Sequence, residues 1–249
     1  MSDPIAIILA AGKGTRMESD LPKVLVPVLG RPMIRYVLDA VREARIRRML
    51  VVVGYRSRLV REELAGESGV EFVEQPEQLG TGHAVMMCRP ALAEHDGGVL
   101  ILAGDSPLTQ ASSLERLIGE FEQSGPACLI GTAFKDNPTG LGRVIRNSAG
   151  EFVQIVEEKD ATPDQRAIQE VNMSTYVFRA RDLLWALDRL TTENSQKEYY
   201  ITDCPGILQD DGRLVRAEAA LQPCEAMSIN TLAELAAVES EMQRQRSTE

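Results

Sequence analysis

The chain has 249 residues, enough to bury one large core, with 44% apolar and 26% charged residues. Its formal charge of −10 argues against nucleic acid or an anionic membrane as a partner, and no apolar run approaches the ~20 residues that span a bilayer. Two histidines exclude a multi-histidine metal centre, and four scattered cysteines with no CxxC pair read as reduced thiols of a cytoplasmic protein. Met1-Ser2-Asp3-Pro4 lacks the basic lead of a secretory signal, so no leader is expected.

Short β-branched apolar runs at residues 5–10, 49–53, 70–73, 99–103 and 128–132 predict strands. Between them, residues 31–44, 58–64, 82–92 and 112–123 predict helices. In the first of these, Ile34, Val37, Leu38 and Val41 recur at helical spacing. The arginines from Arg31 to Arg48 therefore occupy the wet face of a helix and are not a binding surface. Strands alternating with helices imply right-handed crossovers and a mainly parallel, Rossmann-like α/β sheet covered on both faces. Ligands gather at the carboxyl ends of such strands.

The second half changes character. Residues 142–147 and 151–157 predict a hairpin around Asn147-Ser148-Ala149-Gly150. A long strand is expected at 170–178, helices at 181–190 and 200–209, short strands at 213–217 and 226–229, and a last helix over 231–245. One compact domain follows. It divides into residues 1–135, a β-rich substrate-side part over 136–230 and a closing helix over 231–249.

The first strand runs directly into Ala10-Ala11-Gly12-Lys13-Gly14-Thr15-Arg16-Met17. Glycines at a strand end let backbone N–H groups approach phosphate oxygens, and Lys13 and Arg16 add charge. The loop is neither a Walker A loop nor GxGxxG, which excludes a P-loop kinase and a Rossmann dehydrogenase. In Leu21-Pro22-Lys23-Val24-Leu25, Pro22 is expected to hold Lys23 out of helical conformation, a stiff placement suited to meeting a phosphate. Asp105 follows the strand at 99–103, where ligands of α/β sheets bind. Read alone, Asp105 and Asn230 also serve as caps of the helices that follow them. His83, in a small and apolar helix start, reads as a packed residue that orients its loop.

Taken in order, L-A-A-G-x-G-T-R-M…P-K, Glu77-Gln78-Leu79-Gly80-Thr81-Gly82-His83-Ala84, Gly104-Asp105-Ser106-Pro107-Leu108, Ile155-Val156-Glu157-Glu158-Lys159, Glu170-Val171-Asn172, Glu198-Tyr199-Tyr200-Ile201-Thr202-Asp203 and Ile229-Asn230 resemble the N-acetylglucosamine-1-phosphate uridylyltransferases. The resemblance spans nearly the whole chain. It implies a nucleotide-diphospho-sugar transferase fold, with residues 1–135 as the nucleotide-binding half and 136–230 as the sugar-binding half, and transfer of UMP from UTP to N-acetylglucosamine 1-phosphate to give UDP-N-acetylglucosamine and pyrophosphate. Leu9, Ala11, Gly12, Gly14 and Thr15 would hold the nucleotide, and Arg16 and Lys23 would act on the phosphates. Gln75, Gly80 and Thr81 would read the base, and Gly142, Glu157 and Asn172 the sugar. Asp105 and Asn230 would hold Mg²⁺, which favours one or two oxygen ligands from protein.

Three positions depart from the family pattern. Val26 stands where the family has histidine, Leu141 where it has tyrosine, and Met173-Ser174 follow Asn172 in place of Thr-Gly. The bifunctional members continue into a left-handed β-helix, whereas no hexapeptide repeat follows the last helix here. UDP-glucose, UDP-galactosamine or dTDP-sugar synthesis and a non-catalytic sugar-nucleotide-binding role remain the alternatives. A single methyl separates uracil from thymine, a difference worth only ~1–3 kcal/mol.

Overall fold

The computed structural model describes residues 2–14, 20–227 and 229–247. Four parallel strands, β1 (Ile5–Ala10), β4 (Arg48–Val53), β5 (Val70–Glu74) and β6 (Gly98–Ala103), stand in the order β6-β1-β4-β5. β10 (Glu170–Arg179) adds antiparallel to β6, followed by β7 (Cys128–Phe134) and then β11 (Val215–Glu218), parallel to β7. The expected mainly parallel α/β sheet is borne out.

The period-two alternation of β1 explains why both faces are covered. Ile5 and Ile7 join the core on one face with α7 (Ala180–Leu187) and α8 (Asp203–Asp210). Ala6 and Ile8 join the other core beneath α1 (Met33–Glu43) and α5 (Ala111–Ser124). The arginines of α1 face outward as expected. Arg35 pairs with Glu63 and Glu67, and Arg42 with Glu67 at 2.5 Å.

α1 begins two residues later than the sequence suggests, because Pro32 is extended and Arg31–Pro32 pairs with Pro27–Val28 in a two-strand ribbon. The helix expected over 82–92 is two pieces, α3 (Thr81–Met86) and α4 (Arg89–Leu92). Pro90 lies in the first turn of α4, where its missing N–H costs nothing, and the break falls before it. The described residues of 226–229 form no strand. Pro223–Ala226 instead form a 3₁₀ turn, started by Pro223 and closed by a Gln222–Glu225 capping box. Lys23 also departs from expectation. Pro22 is extended, but Lys23–Leu25 then make one 3₁₀ turn that buries Val24 and Leu25.

The hairpin β8 (Gly142–Arg146) and β9 (Phe152–Val156) attaches to the start of β10, with Gly142 opposite Asn172. Arg143, 1% exposed, anchors it: its guanidinium pairs with Glu158 at 2.7 Å and donates to the carbonyls of Leu141 and Arg166. The last helix, α9 (Leu232–Arg246), is held mainly by Val238 and Met242 against Val28, Met33 and Leu108.

Candidate active site

At the carboxyl end of β1 lies a cavity of about 300 Å³. Its walls include Leu9, Ala11, Gly12, Lys23, Gln75, Gly80, Thr81 and Asp105, residues singled out from the sequence and separated by up to 96 positions. Thr15 and Arg16 lie outside the described residues.

One wall is the loop between β5 and α3. The Gln75 side chain is 3% exposed, and its Nε2 donates to Gly80 O at 3.0 Å and meets His83 Nδ1 at 3.1 Å. With both amide N–H groups engaged, Oε1 is the part left to accept from a ligand. The pairing fixes His83 with Nδ1 as acceptor and so as the Nε2–H tautomer. The ring also stacks on Tyr199 at 6.3 Å between centroids, which matches the orienting role read from sequence.

This loop is clamped from the far side of the chain. Gly82 N donates to Tyr199 O at 2.7 Å, Tyr199 N to Leu79 O at 2.9 Å, and Ile201 N to Thr81 Oγ1 at 3.1 Å. Gly80 has φ 106° and ψ 174°, a conformation open essentially to glycine alone, and a Cβ there would sit 2.5 Å from Tyr199 O.

The opposite wall carries charge. Lys23 Nζ pairs with Asp105 Oδ2 at 2.6 Å and donates to Asn230 Oδ1 at 3.1 Å. Gly14, with φ +66°, brings its backbone against the Lys23 side chain; a Cβ there would fall 2.6 Å from Lys23 Cβ. Neither Asp105 nor Asn230 acts as a helix cap. Gln110 precedes α5, and Thr231 caps α9 by accepting from Glu234 N, while Asn230 N donates to the Glu234 carboxylate at 2.8 Å. Oxygens of Asp105 and Asn230, 82 and 207 positions along the chain from Lys23, thus meet one ammonium. A carboxylate and an amide oxygen converging on one cation fit Mg²⁺, which takes hard oxygen donors and completes its shell with water and phosphate.

The three expected sugar residues are brought together by the β8–β10 pairing, but away from the cavity lining. Gly142 lies opposite Asn172, and a Cβ on Gly142 would come 3.6 Å from Glu157 Oε1. Asn172, 4% exposed, donates through Nδ2 to the Tyr176 hydroxyl at 2.7 Å and accepts from Ser174 N at 3.2 Å. Burial pushes the Glu157 carboxyl above its usual value, and the charges of Asp203 and Asp160 add to the rise.

Sequence reasoning missed Gln78, Glu198 and Ser174, all of which line the cavity. Gln78 and Glu198 stand inside motifs that carried the resemblance, so their position was available as a signal. Ser174 carried only the signal of a departure.

Residues 6–246 match the model of the MobA-like NTP transferase domain. The chain belongs to this family. It is 46% identical to "Bifunctional protein GlmU" of Streptococcus gordonii over 239 residues, 96% of this chain and 52% of that protein. The GlmU protein of Geobacter metallireducens is 44% identical over 236 residues, 95% and 50% of the two chains. The chain therefore spans about half the length of the curated relatives it matches. A crystal structure of UDP-glucose pyrophosphorylase complexed with UDP-glucose superposes with a TM-score of 0.75 at 14% identity, covering 97% of this chain and 98% of that one. At that identity the likeness concerns the fold. The resemblance drawn from the motifs is borne out at family level.

Proposed function

We propose that this NTP transferase domain transfers UMP from UTP to N-acetylglucosamine 1-phosphate, releasing pyrophosphate, with Mg²⁺ as cofactor. The observation that carries the reading is the pairing of Lys23 with Asp105 and Asn230 on one wall of the cavity whose other wall holds Gln75, Gly80 and Thr81. A base seated against Gln75 would give its imide N–H to Oε1, and the triphosphate would then run along Ala11, Gly12 and Gly14 toward Lys23. The GlmU relatives support uridylyl transfer to a sugar phosphate.

The chemistry asks little of the protein beyond position and charge. A phosphate monoester has its second pKa near 6, so at pH 7 the sugar phosphate is mostly a dianionic nucleophile and no general base is required. Engagement of His83 by Gln75 and Tyr199 agrees with that. Lys23, joined by Arg16, would neutralise the charge that develops as pyrophosphate leaves, and Gly12 would admit a close backbone approach. Mg²⁺ held by Asp105 and Asn230 would lend charge stabilisation to the phosphates. On the sugar side, Gly142, Glu157 and Asn172 would form the acceptor pocket.

The test is pyrophosphate release by the purified chain with UTP, Mg²⁺ and a panel of sugar 1-phosphates. Highest kcat/KM with N-acetylglucosamine 1-phosphate, abolished by EDTA and restored by Mg²⁺, is the expected result. Release with another sugar would keep the chemistry and change the substrate. No release with any sugar or nucleoside triphosphate, from folded protein, would overturn the reading.

A further inference from the structure

The cavity meets the sugar side of the molecule at a single residue of β10. Ser174 lines the cavity together with Lys23 and Asp105, whereas Gly142, Glu157 and Asn172 do not. Ser174 has φ 53°, in the left-handed region, and sits in a bulge where the pairing of β10 with β7 slips between Asn172 and Thr175. A non-glycine residue held there is strained. Such strain persists where the surrounding structure over-determines it, and it concentrates at ligand sites. The bulge also re-aims a side chain that a regular strand would point elsewhere.

The hydrogen bonds around the bulge decide what Ser174 can offer. The Tyr176 hydroxyl, fully buried, accepts from Asn172 Nδ2 at 2.7 Å. Ser174, two residues on from Asn172, brings to the cavity border a hydroxyl that is able to donate. Asn172 has one amide N–H on Tyr176 and its oxygen on Ser174 N, so it braces the bulge.

We infer that Ser174 contacts the substrate on the sugar side, donating its hydroxyl hydrogen to an oxygen of the sugar 1-phosphate's phosphate group beside Lys23. The inference rests on the proposed function and deepens it by assigning a phosphate-binding donor to a position where the resembled family carries glycine. A hydroxyl aimed at a charged acceptor contributes about ten- to a hundredfold in binding. Because the acceptor is the phosphate, the contact serves every sugar 1-phosphate alike.

Steady-state pyrophosphate release would be compared for wild type, Ser174→Ala and Ser174→Gly, varying UTP and the sugar 1-phosphate separately, with both N-acetylated and plain sugars. Ser174→Ala should raise KM for each sugar 1-phosphate about tenfold or more and by a similar factor, and leave KM for UTP within twofold. Ser174→Gly should show the same kinetic loss while its melting temperature is at or above that of wild type, since glycine relieves the positive φ. A general structural defect would move both KM values and lower the melting temperature. Unchanged KM for sugar phosphates in active variants overturns the inference and leaves the proposed function standing. A rise confined to N-acetylated sugars overturns the phosphate assignment. Wild type that releases no pyrophosphate with any sugar 1-phosphate overturns the proposed function itself.

Discussion

Two cavity glycines call for opposite outcomes on the same substitution, alanine. At Gly80, with φ 106° and ψ 174°, any Cβ is strained by about 1–3 kcal/mol. It would also lie 2.5 Å from Tyr199 O and 2.9 Å from Tyr199 N. These are backbone atoms that cannot rotate away, so forced overpacking adds about 1–3 kcal/mol. Gly80→Ala should therefore destabilise the protein by about 2–6 kcal/mol in total, the sum of those ranges. With a urea m-value of about 3 kcal/mol/M, the upper end for small proteins, the unfolding midpoint would fall by about 0.7 M or more. The loop that holds Gln75 and Thr81 would shift, and KM for UTP would rise at least about tenfold, the cost of ~1.4 kcal/mol of lost binding. At Gly12 a Cβ meets no heavy atom within 4 Å and φ is not positive. Gly12→Ala should keep its stability within about 0.5 kcal/mol of wild type, as for a surface substitution, yet obstruct the triphosphate and raise KM for UTP. Urea unfolding followed by circular dichroism, with kinetics on the same preparations, checks both. A Gly80→Ala midpoint equal to wild type would refute the clamped-loop argument, and normal UTP kinetics in Gly12→Ala would refute close approach at β1.

Lys23→Ala and Asp105→Ala should each lower kcat about 10²–10³-fold in the pyrophosphate assay. Because the two side chains touch at 2.6 Å, the double variant should lose much less than the product of the single losses; strict multiplicativity would argue against a shared role. Arg143→Met leaves Glu158 and the carbonyls of Leu141 and Arg166 without their donor, a cost of about 2–4 kcal/mol. Glu158→Gln, at a side chain 29% exposed, should cost less than about 1 kcal/mol. Urea midpoints read both. Burial, then the charge of Asp160, raises the Asp203 carboxyl from 3.8 to about 6. Between those values the folded state holds the proton and the unfolded state does not, so this group's contribution to stability falls as pH rises through the window. Asp203→Asn should then stabilise at pH 7.5 by about 1 kcal/mol after allowance for solvent screening. The gain should vanish by pH 4. A gain equal at both pH values would exclude this titration.

Much of the proposed nucleotide side was legible because it is local. Leu9, Ala11 and Gly12 follow a strand whose apolar run is unmistakable, and Gln75, Gly80 and Thr81 fall within six positions of one another. Loop chemistry of that kind is written in consecutive residues. The proposed sugar side was less legible. Gly142, Glu157 and Asn172 were expected as one set and do come together, but the cavity is bordered instead by Ser174, through a bulge and a left-handed φ. A bulge is one extra residue in one strand, and nothing in the local pattern of β10 marks it. The errors in secondary structure had a different source. Pro32, Pro90 and Pro223 moved or split elements whose apolar periodicity was otherwise correct.

By itself the sequence determined the alternation of strands and helices, the two-sided burial of the sheet and the glycines that border the cavity. Those features depend on periodicity and on backbone freedom, which neighbouring residues specify. Only the tertiary structure decided that Lys23 would meet Asp105 and Asn230, and that Tyr199 would lock the loop carrying Gly80. Contacts across 82 to 207 positions depend on how strands order in the sheet and how distant loops close over its edge. A hydrogen bond or an ion pair acts over about 3 Å, so it cannot be read until that distance has been set by packing.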